Sequence, residues 1–201
     1  MNIRQCRNTA LLLVSFAMSS ACTKQEPSKN ITPSVIFEVN RQLLGDSVIS
    51  KAHHISFAPP KGWEALPKNI EEQFRAKLEQ ANTGDIRPQP HYIFVSKSKA
   101  TLMVSSLEFP LQDTTLALKR AHYVGKMKSQ IDSTMLRVAE FRKGVMLLTQ
   151  CVIRTPTQIS FKILVESEQT LLQFDYIVPL AVYNNEIRAV ESSIGSIFTI
   201  Q

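Results

Sequence analysis

An α+β domain is what the sequence predicts: an antiparallel sheet of about seven strands covered by helices, an α/β/α sandwich. Three observations carry it. Several segments alternate apolar and polar residues with period two, most are joined in pairs by short polar links, and three others repeat their apolar residues at the helical period.

In chain order, residues 34–39 ("SVIFEV") and 53–58 ("HHISFA") have strand character. Pro59 and Pro60 then stop the ladder, Gly62 permits a tight bend, and Trp63 folds back over the sheet as a plug at the end of the core. Residues 69–84 form the first helix, with Asn69 and Glu72 spaced as a capping box and Ile70, Phe74 and Leu78 in a stripe ending near Gly84. "HYIFVS" (91–96) and "TLMVSSLEF" (101–109) flank the turn "KSKA" as a hairpin. The second helix spans 113–131, capped at Asp113, with Ala117, Ala121, Val124 and Ile131 on one face. "MLRVAEF" (135–141) and "VMLLTQCVI" (145–153) flank "RKG", where Gly144 supplies a positive φ. In 159–165, Ile159, Phe161, Ile163 and Val165 point one way; after "ESEQ" come Leu172, Phe174, Tyr176 and Val178. The last helix places Tyr183, Ile187, Val190, Ile194 and Ile197 at spacings of 4, 3, 4 and 3, a stripe facing a core.

Residues 1–21 have the layout of an export signal: Arg4 and Arg7, an apolar run from Ala10 to Met18, then Ser19, Ser20 and Ala21. The run is shorter than the roughly twenty residues a spanning helix needs. "SSAC" resembles a bacterial lipobox, with Ser19 where Leu is usual, in which the cysteine is lipidated and becomes the first mature residue. The resemblance implies a lipid anchor on Cys22. Thr23 in place of Asp implies the outer membrane, facing the periplasm. The tract that follows, in a tether spanning 22–34, is too polar to order itself. Cysteine usage agrees: Cys6 lies in the leader, Cys22 at the cut, and Cys151 alone remains in the domain at 35–201, which has no internal disulfide partner.

The formal charge of +6 includes Arg4 and Arg7, so it falls by two to +4 without the leader. No run of five basic residues occurs, which argues against a nucleic-acid partner. Patterns for a hydrolase nucleophile elbow, a phosphate loop, a zinc protease, a CxxC pair and a calcium loop are absent, so no catalytic residue, metal site or cofactor is implied. His53 and His54 are adjacent in a predicted strand and so face opposite sides. Either could meet His91 if those strands pair, giving two imidazoles of a ligand site. His122 falls on the second helix beside charged residues. Cys151 sits between Gln150 and Val152 in an apolar strand, the setting of an inert buried thiol.

"ISFAPPKGWEALP" together with "AVESSIGSIFTI" resembles the PsbP-like and DcrB-like families, and the resemblance extends from about Ile55 to Ile200 in order of elements. It implies an α/β/α sandwich on an antiparallel sheet and no particular reaction. Three function classes follow. The first is a non-catalytic envelope lipoprotein, an accessory module binding another envelope protein, in one form an immunity or chaperone-like protein of a toxin secretion system. The second is a small-molecule or metal-binding module with Trp63, His54 and His91 as contacts. The third, an enzyme, has no constellation of residues behind it.

Overall fold

In the computed structural model, which describes residues 38–81, 84–110, 114–168 and 170–200, the alternating segments pair as their apolar faces require. The leader, Cys22, the tether, most of the 34–39 segment and Asp113 lie outside the described residues. The strands are β1 (Val48–Ser50), β2 (Ile55–Phe57), β3 (Glu64–Ala65), β4 (Arg87–Val95), β5 (Thr101–Glu108), β6 (Leu136–Lys143), β7 (Met146–Arg154), β8 (Gln158–Ser167), β9 (Thr170–Pro179) and β10 (Phe198–Thr199). The helices are α1 (Lys68–Ala81), α2 (Leu116–Gln130) and α3 (Tyr183–Gly195).

Seven strands form one antiparallel sheet in the order β3-β4-β5-β9-β8-β7-β6. Two meanders meet at β5 and β9, and α2 carries the chain from one to the far edge of the other. Gly62 and Gly144 take the positive φ their turns need, +78° and +58°, while the β4–β5 hairpin closes with a non-glycine residue in that region, Lys99 at +67°. The other three strands form a separate small sheet in the order β1-β2-β10. The 53–58 segment is therefore not in the main sheet; Pro59 and Pro60 end β2 after three residues, and it pairs with β1 and β10 instead.

On one face of the large sheet, Ile163, Val165, Phe174, Tyr176, Leu148 and Leu102 are fully buried. They pack against Val190, Ile194 and Ile197 from α3 and its exit, and against Ile55 and Phe57 from the small sheet. Burying each such side chain contributes about 1.5–3 kcal/mol. Three serines of α3 and its exit secure this layer: Asn40 N donates to Ser192 Oγ at 3.3 Å, Ser193 Oγ to Ala58 O at 2.6 Å, and Ala58 N to Ser196 Oγ at 2.8 Å.

The opposite face lies under α2 and is partly polar. Lys162 and Asp175 sit opposite each other on β8 and β9 and form an ion pair there. Tyr123 donates to Gln173 at 2.5 Å, and Arg120 pairs with Glu166 at 2.8 Å. The inward stripe of α2 is thus Leu116, Arg120, Tyr123, Val124 and Met127, while Ala117 and Ala121 face solvent. This turns the helix from the expected alanine face, because long side chains bury more than methyls and two of these also satisfy buried sheet polars. Its cap is Thr115, which accepts from Leu118 N at 3.3 Å.

The first helix departs further from expectation. It starts at Lys68, with the amides of Ile70 and Glu71 donating to Pro67 O, so Asn69 lies inside the first turn and no capping box forms. Glu71 pairs with Arg75 one turn on. The expected stripe stays largely uncovered, with Ile70 43% and Phe74 39% exposed. The preceding strand, β3, has two residues only and offers little surface for a helix to cover.

Burial puts the Lys162–Asp175 pair under strict demand. Asp175→Ala, which strands a buried ammonium, is expected to cost about 3–5 kcal/mol in chemical unfolding, whereas a Lys162→Met/Asp175→Leu double replacement should cost far less.

Candidate functional site

Of the histidines singled out, His53 and His91 meet, with His54 beside His53, but they are not in strands that pair. His53 ends a single 3-10 turn at Lys51–His53, and His54 follows in the left-handed region at φ +48°. That conformation, not strand alternation, separates their side chains. His53 meets His91, ring centroids 3.9 Å apart and tilted by 38°. His54 turns away, its Nδ1 3.0 Å from Glu168 Oε1, and the loop is fixed by Ser167 Oγ donating to His53 O at 2.7 Å.

His91 occupies an irregularity of β4, where the register with β5 shifts between Pro90 and Tyr92. The shift lets its Nε2 reach Ser106 Oγ at 2.9 Å. Burial, then the neighbouring His53 and Arg75, push its pKa down from 6.5 to about 4. Serine beside imidazole is two parts of an acyl-transfer constellation. A third group orienting the ring is missing among the described residues, where no carboxylate bonds to His91. Nor do three or more metal-ligating side chains converge among the described residues.

Trp63 lies elsewhere, 6% exposed within the main core, its ring 6.4 Å from that of Tyr176. Its indole N–H donates to Glu186 at 3.1 Å, and the other oxygen of Glu186 accepts from Ser98 at 2.7 Å. Trp63 plugs the core, with Glu186 of α3 holding both it and the β4–β5 hairpin, so its ring face is not open to a ligand. Cys151 is fully buried under α2, and burial pushes its thiol up to about 11, which suppresses the thiolate. His122 approaches Asp85 at 3.8 Å on an exposed surface.

A surface absent from the sequence-level candidates stands out on the small sheet. Register places Ile49, Ser56 and Phe198 in one row across β1, β2 and β10. Ile49 is 63% and Phe198 53% exposed. Beside Phe198 runs a groove of about 330 Å³ lined by Val39, Arg41, Leu44, Ser56, Ser196 and Phe198. Lys143 supports the row from below: its ammonium sits 3.5 Å from the Phe198 ring centroid and donates to Ile197 O at 2.7 Å and to Gly195 O. Burial draws the pKa of Lys143 down to about 8. The signal for β10 is present in "GSIFTI", where a glycine precedes β-branched and aromatic residues, but the helical period reaching Ile197 conceals it.

Compared with protein-family models and with curated proteins, the chain matches none. Among solved structures it is similar to the solution structure of cyanobacterial PsbP (CyanoP) from Synechocystis sp. PCC 6803. The TM-score is 0.52 at 13% sequence identity, over 77% of this chain and 91% of that one. The chain has a PsbP-like α+β fold.

The lowered pKa of His91 has a stability consequence. Between pH 6.5 and about 4 the unfolded chain takes up a proton that the folded state refuses, so this contribution to stability, present above pH 6.5, is lost as pH falls. His91→Gln should flatten that part of the stability profile, and imidazole NMR shifts should show His91 still neutral at about pH 5.5.

Proposed function

We propose that this protein is a non-catalytic accessory module of the bacterial cell envelope. It is anchored through a lipidated Cys22, at the outer membrane facing the periplasm, and binds another envelope protein through the outer face of its small sheet. The observation that carries the reading is the exposed row of Ile49 and Phe198 beside its groove. Large apolar side chains in register on one sheet face form a contiguous patch, and such patches mark interaction surfaces. Phe198 is held by Lys143, and the end of β2 by the serines of α3, so a partner would find this part of the face preformed.

The leader and tether suit this reading. A single acyl chain anchors weakly, whereas the several chains of a lipidated N-terminal cysteine hold stably, and a polar tether lets the domain reach a partner. A second reading, a small-molecule or metal-binding module, is favoured by the meeting of His53 and His91. It needs further ligands from outside the described residues or from the ligand itself.

A photo-crosslinking residue at Ile49 or Phe198, in cells expressing the tagged full chain, tests the leading reading. A discrete protein adduct is expected, diminished when the adjacent residue of the row is changed to Asp and when Cys22→Ala releases the chain from the membrane. Adducts no stronger than those from an exposed control position such as Lys77 would contradict it.

A further inference from the structure

We infer that the opposite end of the main core holds a separate binding site for a small organic anion, one with an oxyanion group and a flat apolar body. The site lies where β6, β7 and β8 run out beside the start of α3. Its cavity, about 230 Å³, is lined by Arg137, Val152, Arg154, Phe161, Tyr183 and Thr134, among others.

Register explains why two arginines meet there. Arg137 stands opposite Val152, and the Arg154 amide donates to Met135 O at 2.9 Å. Arg137 and Arg154 are therefore diagonal neighbours on the same face of adjacent strands, within mutual reach of long side chains. Like charges at that spacing repel, yet among the described residues neither guanidinium is paired with a carboxylate. By contrast, Lys162 on β8 has Asp175, and Arg120 of α2 has Glu166. An oxyanion between the two forks would relieve the repulsion and accept paired N–H bonds, the geometry guanidinium favours.

The rest of the lining selects for the ligand's body. Between the arginines and α3 the floor is Val152, Ile159 and Phe161, and the wall is Tyr183, whose ring lies nearly parallel to Phe161 at 11°, centroids 6.4 Å apart. A hydrated inorganic ion gains nothing from such a floor, whereas a flat apolar group attached to the oxyanion buries against it. A volume of this order has room for a single-ring molecule. The site is distinct from the Ile49–Phe198 row and does not depend on the partner-binding reading.

The test is calorimetric titration of the purified full chain with phenyl phosphate, benzoate and inorganic phosphate at low salt. Saturable binding of phenyl phosphate or benzoate is expected, with inorganic phosphate at least about tenfold weaker. Arg137→Gln and Arg154→Gln should each weaken the aromatic anion by about tenfold or more. Both side chains are exposed, so the fold should survive, and thermal unfolding checks that. A Val152→Phe variant, which keeps both charges and fills the floor, should also weaken binding. Flat titrations with both aromatic anions would overturn the inference. So would inorganic phosphate binding equally well, or affinity indifferent to the arginine replacements.

Discussion

The hydroxyl of Ser193 is the contact on which the arrangement of layers depends. Its one proton goes to the carbonyl of Ala58 at 2.6 Å, so the bond to Tyr176 at 2.9 Å has the phenol as donor. Burial raises the pKa of Tyr176 and keeps it in the donating form. Three fully or nearly buried polar groups from β9, α3 and the end of β2 are thereby satisfied by one another. Removing the Ser193 hydroxyl would leave the buried Tyr176 phenol without its acceptor, at a cost of about 1–3 kcal/mol. Apolar packing presses the small sheet onto the large one, but packing is non-directional; this chain of hydroxyls sets where it docks.

From that docking the outer surface follows. With Ile55 and Phe57 turned inward against the core, strand alternation sends Ser56 and its register partners Ile49 and Phe198 outward. The face under α2 plays the contrary part. Its ion pairs and the Tyr123–Gln173 bond hold α2 to the sheet, while Asp175 Oδ1 and Ser105 Oγ are buried there without a hydrogen-bond partner. Polar groups open to solvent lie at the margins: the His53–His91 meeting at the register shift of β4, and Arg137 and Arg154 at the start of β6 and the end of β7.

Elements with strong periodicity were legible in the sequence, and their failures have identifiable causes. Strands β4 to β9 and the stripe of α3 are long enough for several repeats, and their turns carry Gly or a polar link. Strands β1, β3 and β10 have two or three residues each, too short for alternation to register. The α2 stripe was misplaced because two of its inward residues, Arg120 and Tyr123, carry polar groups whose partners lie on distant strands. His53 and His91 could be suspected as a pair, but their meeting rests on a 3-10 turn and a register shift that no local pattern announces. The plugging role of Trp63 was legible from Pro59, Pro60 and Gly62; its bond to Glu186, 123 residues away, was not.

If the small sheet is fixed by Ser193 and its neighbours, it cannot open independently of the large one. Native-state hydrogen exchange addresses this through the amide of Ala58, which donates to Ser196. The account predicts that this amide exchanges only through global unfolding, with the same opening free energy as the slowest amides of β8 and β9. A distinctly lower opening free energy at Ala58, with the β8 and β9 amides still protected, would mean a loosely attached small sheet. A preformed face for a partner would then be contradicted.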